Sequence, residues 1–302
     1  MPDLTRTRKV VAIVDALETF EGEGFLVHRP FPTPSLAMVD PFLLLDEMGP
    51  VELRPGEAKG APDHPHRGFE TVTYVLEGEF EHEDSAGNRG SIGTGDVQWM
   101  TAGAGVVHSE MPARSLQETG GRVHGVQLWV NLPAAQKMVS PRYQDLRAAE
   151  LPVARGDGFT LTVIAGDVLG VSGPGDTYVP IVYAHARVDA HRELEIPLPS
   201  DTNAVVYVLG GSAELGPDAV QAGRAQLAVF DPGEAPLGAR AGDRGLDAII
   251  LAGRPLREPV VRYGPFVMNT KEQIVEAFDD FREGRMGAIA REGETVGDHP
   301  EA

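Results

Sequence analysis

The 302-residue chain is 42% apolar and 24% charged, the make-up of a folded, soluble globular protein rather than a disordered one. Its 26 Lys and Arg stand against 45 Asp and Glu, a formal net charge of −19 that repels phosphate backbones and anionic membranes and argues against direct binding to either. With no cysteine, disulfides and thiolate metal sites are excluded, so a metal must sit on histidine, carboxylate or water.

The chain opens with basic residues before an apolar stretch, but that stretch is short, is broken by Asp15 and has no cleavage site. No run reaches membrane-spanning length, and the chain reads as cytoplasmic. The 36 Gly and 24 Pro punctuate short runs of Val, Thr, Ile, Leu, Tyr and Phe, the pattern of an all-β protein of many strands joined by turns. Residues 69–80 alternate, with Phe69, Thr71, Thr73 and Val75 on one face and Glu70, Val72, Tyr74 and Leu76 on the other. Turns follow at 84–88 and 93–96, then strands at 97–100 and 124–130.

A first lobe therefore closes near Pro133, giving lobes at 1–134 and 135–302. In the second, strand-like runs at 159–164, 179–183, 194–196, 204–209, 225–230 and 248–251 repeat the rhythm of the first. One helix is predicted over about 270–283. Thr270 and Gln273 form a capping box, Ile274, Phe278 and Phe281 an apolar stripe, and Gly284 the stop. The acidic tail after Arg291 is expected to fray.

The chemistry-bearing segments are Asp63-His64-Pro65-His66-Arg67-Gly68-Phe69-Glu70 and Val107-His108-Ser109-Glu110. Alternate residues of a strand share a face, so His64 points with His66 and His108 with Glu110. Two such pairs on facing strands converge on one point. Three imidazoles and a carboxylate suit Fe(II), Mn, Ni, Cu or Zn and leave coordination positions open for substrate. A lone H-x-H recurs by chance; the second pair, after a Gly-rich turn in an all-β pattern, is what points to a metal. Glu70 has the parity of His66, so geometry alone allows either Glu70 or Glu110 as the carboxylate.

Other polar residues carry less. His82 is expected at the hairpin turn or on the surface, and His124 as a core histidine or as a donor to a ligand carboxylate. Arg67 either orients a carboxylate or covers the mouth of the barrel. His185 and His191 have no H-x-H or H-x-E partner and are expected to bind nothing. After residue 130 no two histidines lie two apart, which predicts no metal in the second lobe. Gly93-x-Gly95 and Gly103-x-Gly105 lack the context of a nucleotide-binding loop.

The order H-x-H-x₃-E, then Gly78, Gly95-Asp96 and a later histidine resembles the two cupin motifs. HPHRGFETVTYVLEGEFEHEDSAGNRG, GDVQWMTAGAGVVHSEMP, HGVQLWVNLP, DPFLLLDE and YGPFVMNT are more closely similar to the blocks of the pirin family. The resemblance runs from about Asp40 to Gly284 and is thin between Val153 and Pro259. It implies a bicupin of two β-barrel lobes with one iron, as Fe(II), in the first, held by His64, His66, His108 and Glu110. It also implies one of two roles. The first is a dioxygenase of flavonols such as quercetin, with O2 as co-substrate and Glu110 as the base. The second is an iron-dependent, redox-responsive regulator that binds a transcription factor or metabolic enzyme without turnover.

Overall fold

The computed structural model describes residues 4–290; the tail expected to fray lies outside them. The first lobe is built from β1 (Val10–Asp15), β2 (Leu17–Glu21), β3 (Phe25–Phe31), β4 (Phe42–Leu53), β5 (Ala61–His66), β6 (Phe69–Glu77), β7 (Glu79–Asp84), β8 (Arg89–Gly93), β9 (Val97–Thr101), β10 (Val106–Pro112), the short helix α1 (Arg114–Thr119), β11 (Gly121–Asn131) and β12 (Arg142–Leu146). They form a seven-stranded sheet in the order β12-β9-β6-β11-β4-β3-β2 and a four-stranded sheet in the order β5-β10-β7-β8. β1 leaves its neighbours and pairs elsewhere. The alternating run expected over 69–80 is two strands, because Gly78 takes φ 101° and turns the chain from one sheet to the other.

The second lobe comprises β13 (Val153–Gly156), β14 (Phe159–Val168), β15 (Val171–Pro174), β16 (Ile181–Val188), β17 (Glu193–Ile196), β18 (Asn203–Leu215), β19 (Val220–Gly223), β20 (Gln226–Phe230) and β21 (Leu237–Gly253). They pair into one ten-stranded sheet that β1 completes against β20. The long β18 and β21 slip register after Val208 and again after Gly211, bulges that bend the sheet on itself. Both lobes are thus double-layered, jelly-roll-like cupin units rather than closed barrels.

Strand alternation assigns the faces. In the second lobe Leu161, Val163, Val182, Val206 and Ile250 fill its interior with apolar side chains. Their neighbours Ile164, Tyr183, Val205, Tyr207 and Ile249 face outward and pack against Val72, Tyr74, Trp99 and Leu128 of the first lobe. Each large side chain buried there contributes about 1.5–3 kcal/mol, so the lobes are welded rather than tethered. Buried polar groups cross the same boundary. Tyr74 Oη lies 3.0 Å from His185 Nδ1, whose Nε2 lies 2.5 Å from Asp247. His124 and Tyr207 both reach the buried Glu47. His185 and His124 are therefore satisfied core histidines.

Beyond β21 the chain returns to the first lobe. A hairpin of β22 (Val261–Tyr263) and β23 (Phe266–Met268) leads into α2 (Lys271–Arg282), whose capping box on Thr270 and Gln273 is present as expected. Ile274 and Ala277 are buried on Val107 and Phe266. Phe281 is 39% exposed, so the apolar stripe is narrower than its spacing suggests.

Candidate metal centre

β5 and β10 are neighbouring antiparallel strands whose register sets His64 opposite His108. His66, two residues on, shares their face. The two histidine-bearing segments thus lie side by side in one sheet, not across the lobe from each other. The ligand atoms of His64, His66 and His108 all lie within 4.8 Å of one another.

Their hydrogen bonds show whether a cation fits. His64 Nδ1 is 2.8 Å from the Pro62 carbonyl and His66 Nδ1 is 3.3 Å from the Pro265 carbonyl. A carbonyl only accepts, so each neutral ring carries its proton on Nδ1 and presents a lone pair at Nε2. Those two Nε2 atoms are 3.1 Å apart, and both nitrogens of His108 are buried without a partner among the described residues. In the neutral rings these converging lone pairs fit a divalent metal. Burial, reinforced by the neighbouring imidazoles, holds His66 and His108 well below the ordinary histidine value. They stay neutral, the state in which imidazole ligates.

Glu110 is not part of this three-histidine group. It lines the same cavity, where Thr73 Oγ1 donates to Oε1 at 2.8 Å and Gln127 Nε2 to Oε2 at 2.9 Å. Glu70 points elsewhere. The parity that kept it open assumed an unbroken strand, but β5 ends at His66, Gly68 turns at φ 88°, and β6 starts a new alternation at Phe69. Its buried carboxylate accepts from Thr101 at 2.7 Å and from Thr177 of the second lobe at 2.5 Å. Burial raises its pKa against the pull of those hydrogen bonds.

His64, His66 and Glu110 open on a cavity of about 1040 Å³ between the two sheets, walled by Phe20, Leu26, Leu44 and Trp129. The pirin family model matches residues 24–130 and that of the pirin C-terminal cupin domain residues 183–287. The chain belongs to the pirin family. A pirin-like protein of Solanum lycopersicum is 42% identical, with 94% of this chain and 94% of the relative covered. The crystal structure of quercetin 2,3-dioxygenase from Acinetobacter baumannii superposes with a TM-score of 0.89 at 37% identity, covering 94% of this chain and all of that one. A bacterial pirin from Escherichia coli in complex with nickel(II) shares the fold, with a TM-score of 0.63 at 20% identity over 81% of this chain and 99% of that one.

Several pirin residues around the centre escape a reading of short motifs. Arg67 is buried, donates to the Ala104 carbonyl at 2.6 Å and pairs with Asp280 of α2 at 2.6 Å. It thus orients a carboxylate, but one from the far end of the chain. Lys137 is buried and in its ammonium form donates to the Gly68 carbonyl at 2.8 Å, Asn131 at 2.8 Å and the Val267 carbonyl at 3.0 Å. It ties the histidine loop to the C-terminal hairpin that supplies the Pro265 carbonyl. His82, expected at a turn, is buried on β7, bonded to Gln98 and stacked on Tyr143. Thr73 and Gln127 were the most legible of these, since strand alternation alone puts Thr73 on the face opposite Glu70.

Proposed function

We propose that the protein is a mononuclear metal enzyme of the quercetin 2,3-dioxygenase type. It would take a flavonol and O2, with one Fe(II) per chain held by His64, His66, His108 and Glu110. The observation that carries this reading is the set of converging histidine nitrogens in the same cavity region as a carboxylate, beneath apolar walls. The likeness to the Acinetobacter dioxygenase supports the substrate class. Iron is our choice within a donor set that also suits Mn, Ni, Cu and Zn.

When bound, the metal supplies Lewis acidity and open positions for a chelating substrate. The chain's own residues do the rest. Thr73 and Gln127 hold both Glu110 oxygens with neutral donors, which fixes the carboxylate in the cavity wall. Glu110 takes the proton of the flavonol 3-hydroxyl. The apolar walls keep water from the electron-rich ring this creates. O2 adds across the two carbons flanking the hydroxyl-bearing carbon, which leaves as carbon monoxide. The substrate supplies every electron, so no reductant is needed.

The test is anaerobic purification with metal analysis, then incubation of the iron-loaded protein with quercetin under labelled O2. Both label atoms should enter the ring-opened ester, the carbon monoxide should be unlabelled, and variants at His64 and His108 should do neither. Metal-loaded protein that consumes no oxygen with any flavonol, yet changes conformation between Fe(II) and Fe(III), would instead be a redox-responsive binding protein.

A further inference from the structure

Arg262, on β22, lays its guanidinium over the Trp129 ring, 4.4 Å from the centroid. Trp129 in turn meets the His66 imidazole edge-on at 5.2 Å. One indole therefore separates the guanidinium from the histidine cluster, and both side chains line the cavity. The other arginines of the cavity are committed to partners. Arg29 donates to Asp46 at 2.7 and 2.5 Å and to Glu21 at 2.5 Å. Arg224 donates to Glu47 at 3.1 Å and to the Gly49 carbonyl at 3.2 Å.

Arg262 is exposed to the cavity and has no hydrogen-bond or ion-pair acceptor among the described residues. Stacking uses the π face of a guanidinium and leaves its in-plane N–H donors free. With the adjacent Arg29, Asp46 and Glu21, the four charges sum to zero. An anion arriving there meets a neutral cluster with one oriented donor, in a chain whose net charge of −19 repels it elsewhere.

We propose that Arg262 is a specificity-determining residue: the aromatic ligand of this cavity carries an anionic oxygen, as carboxylate or ionised phenol, at the end remote from its metal-chelating oxygens. This rests on the reading of the cavity as a flavonol site and names the part of the ligand that reading leaves open.

The test uses the metal-loaded full chain without oxygen, titrated calorimetrically with 3-hydroxyflavone and with its 4′-carboxylate. A charge-assisted hydrogen bond predicts that the carboxylate binds about tenfold tighter or more, with a preference that shrinks as salt rises. Arg262→Gln should bring the ratio of the two affinities to about one, while Arg262→Lys, which keeps the charge, retains part of it. Equal affinities in the unmodified protein, or a ratio unchanged in Arg262→Gln, overturn the role of Arg262 and leave the flavonol site standing. If neither ligand binds, the flavonol reading falls and the proposal falls with it.

Discussion

Thr73 and Gln127 stand opposite each other on β6 and β11 and close on the two oxygens of one side chain, Glu110. A carboxylate gripped at both oxygens from a neighbouring sheet keeps its place whether or not it also ligates. Glu110→Gln should lower metal affinity about 10- to 100-fold, and Gln127→Leu should weaken it less. Glu70→Gln should retain the full equivalent after dialysis against a chelator, followed by elemental analysis. A metal-free Glu70→Gln beside a loaded Glu110→Gln would reverse the assignment.

One equivalent of metal per chain is expected, because the interior of the second lobe is filled by residues such as Leu161, Val206 and Ile250. Replacing His64 and His108 together by alanine should abolish binding. Two equivalents, one of them surviving the double replacement, would place a second site elsewhere.

The Arg67–Asp280 pair joins the residue after the second histidine to α2, and both partners are largely buried. Asp280→Ala leaves a buried guanidinium without its carboxylate and should cost about 3 kcal/mol in urea unfolding. Metal retention should fall as well, since Arg67 adjoins His66. A variant with normal stability and a normally loaded centre would show the pair to be ornamental.

Lys137 gives a pH signature. Burial lowers its pKa from 10.5 to about 7, so between those values the folded chain has shed a proton that the unfolded chain still binds. Where the unfolded state binds more protons, stability rises with pH. The unmodified protein should therefore gain stability relative to Lys137→Met as pH rises from 7 to 9, and lose that gain as pH falls back through 7. Parallel pH curves for the two proteins would contradict a depressed lysine.

What the sequence makes legible here is short in range. H-x-H and H-x-E carry their own face assignments, and Thr270 with Gln273 announces a helix start, because each involves residues within one turn or one pleat. The register that sets His64 against His108 depends on pairing across a long loop, and so was expected as a facing pair rather than a neighbouring one. Glu70 stayed open beside Glu110 for a local reason: its parity holds only if the chain runs straight through Gly68, whose positive φ resets it. Lys137 and Arg262 carry no motif. One is a lysine in a core and the other a cation on a hairpin more than a hundred residues from the histidines, and only the packed fold gives them partners.

The two ends of the chain cross over: β1 completes the sheet of the second lobe, while β22, β23 and α2 settle on the first. During synthesis the histidine segments emerge well before the Pro265 carbonyl that fixes the His66 tautomer and the Asp280 that holds Arg67. A nascent chain lacking them has the ligands but not their orientation. Loading of the centre should thus wait for α2 to be made, and chains truncated before α2 should be poor competitors for scarce metal.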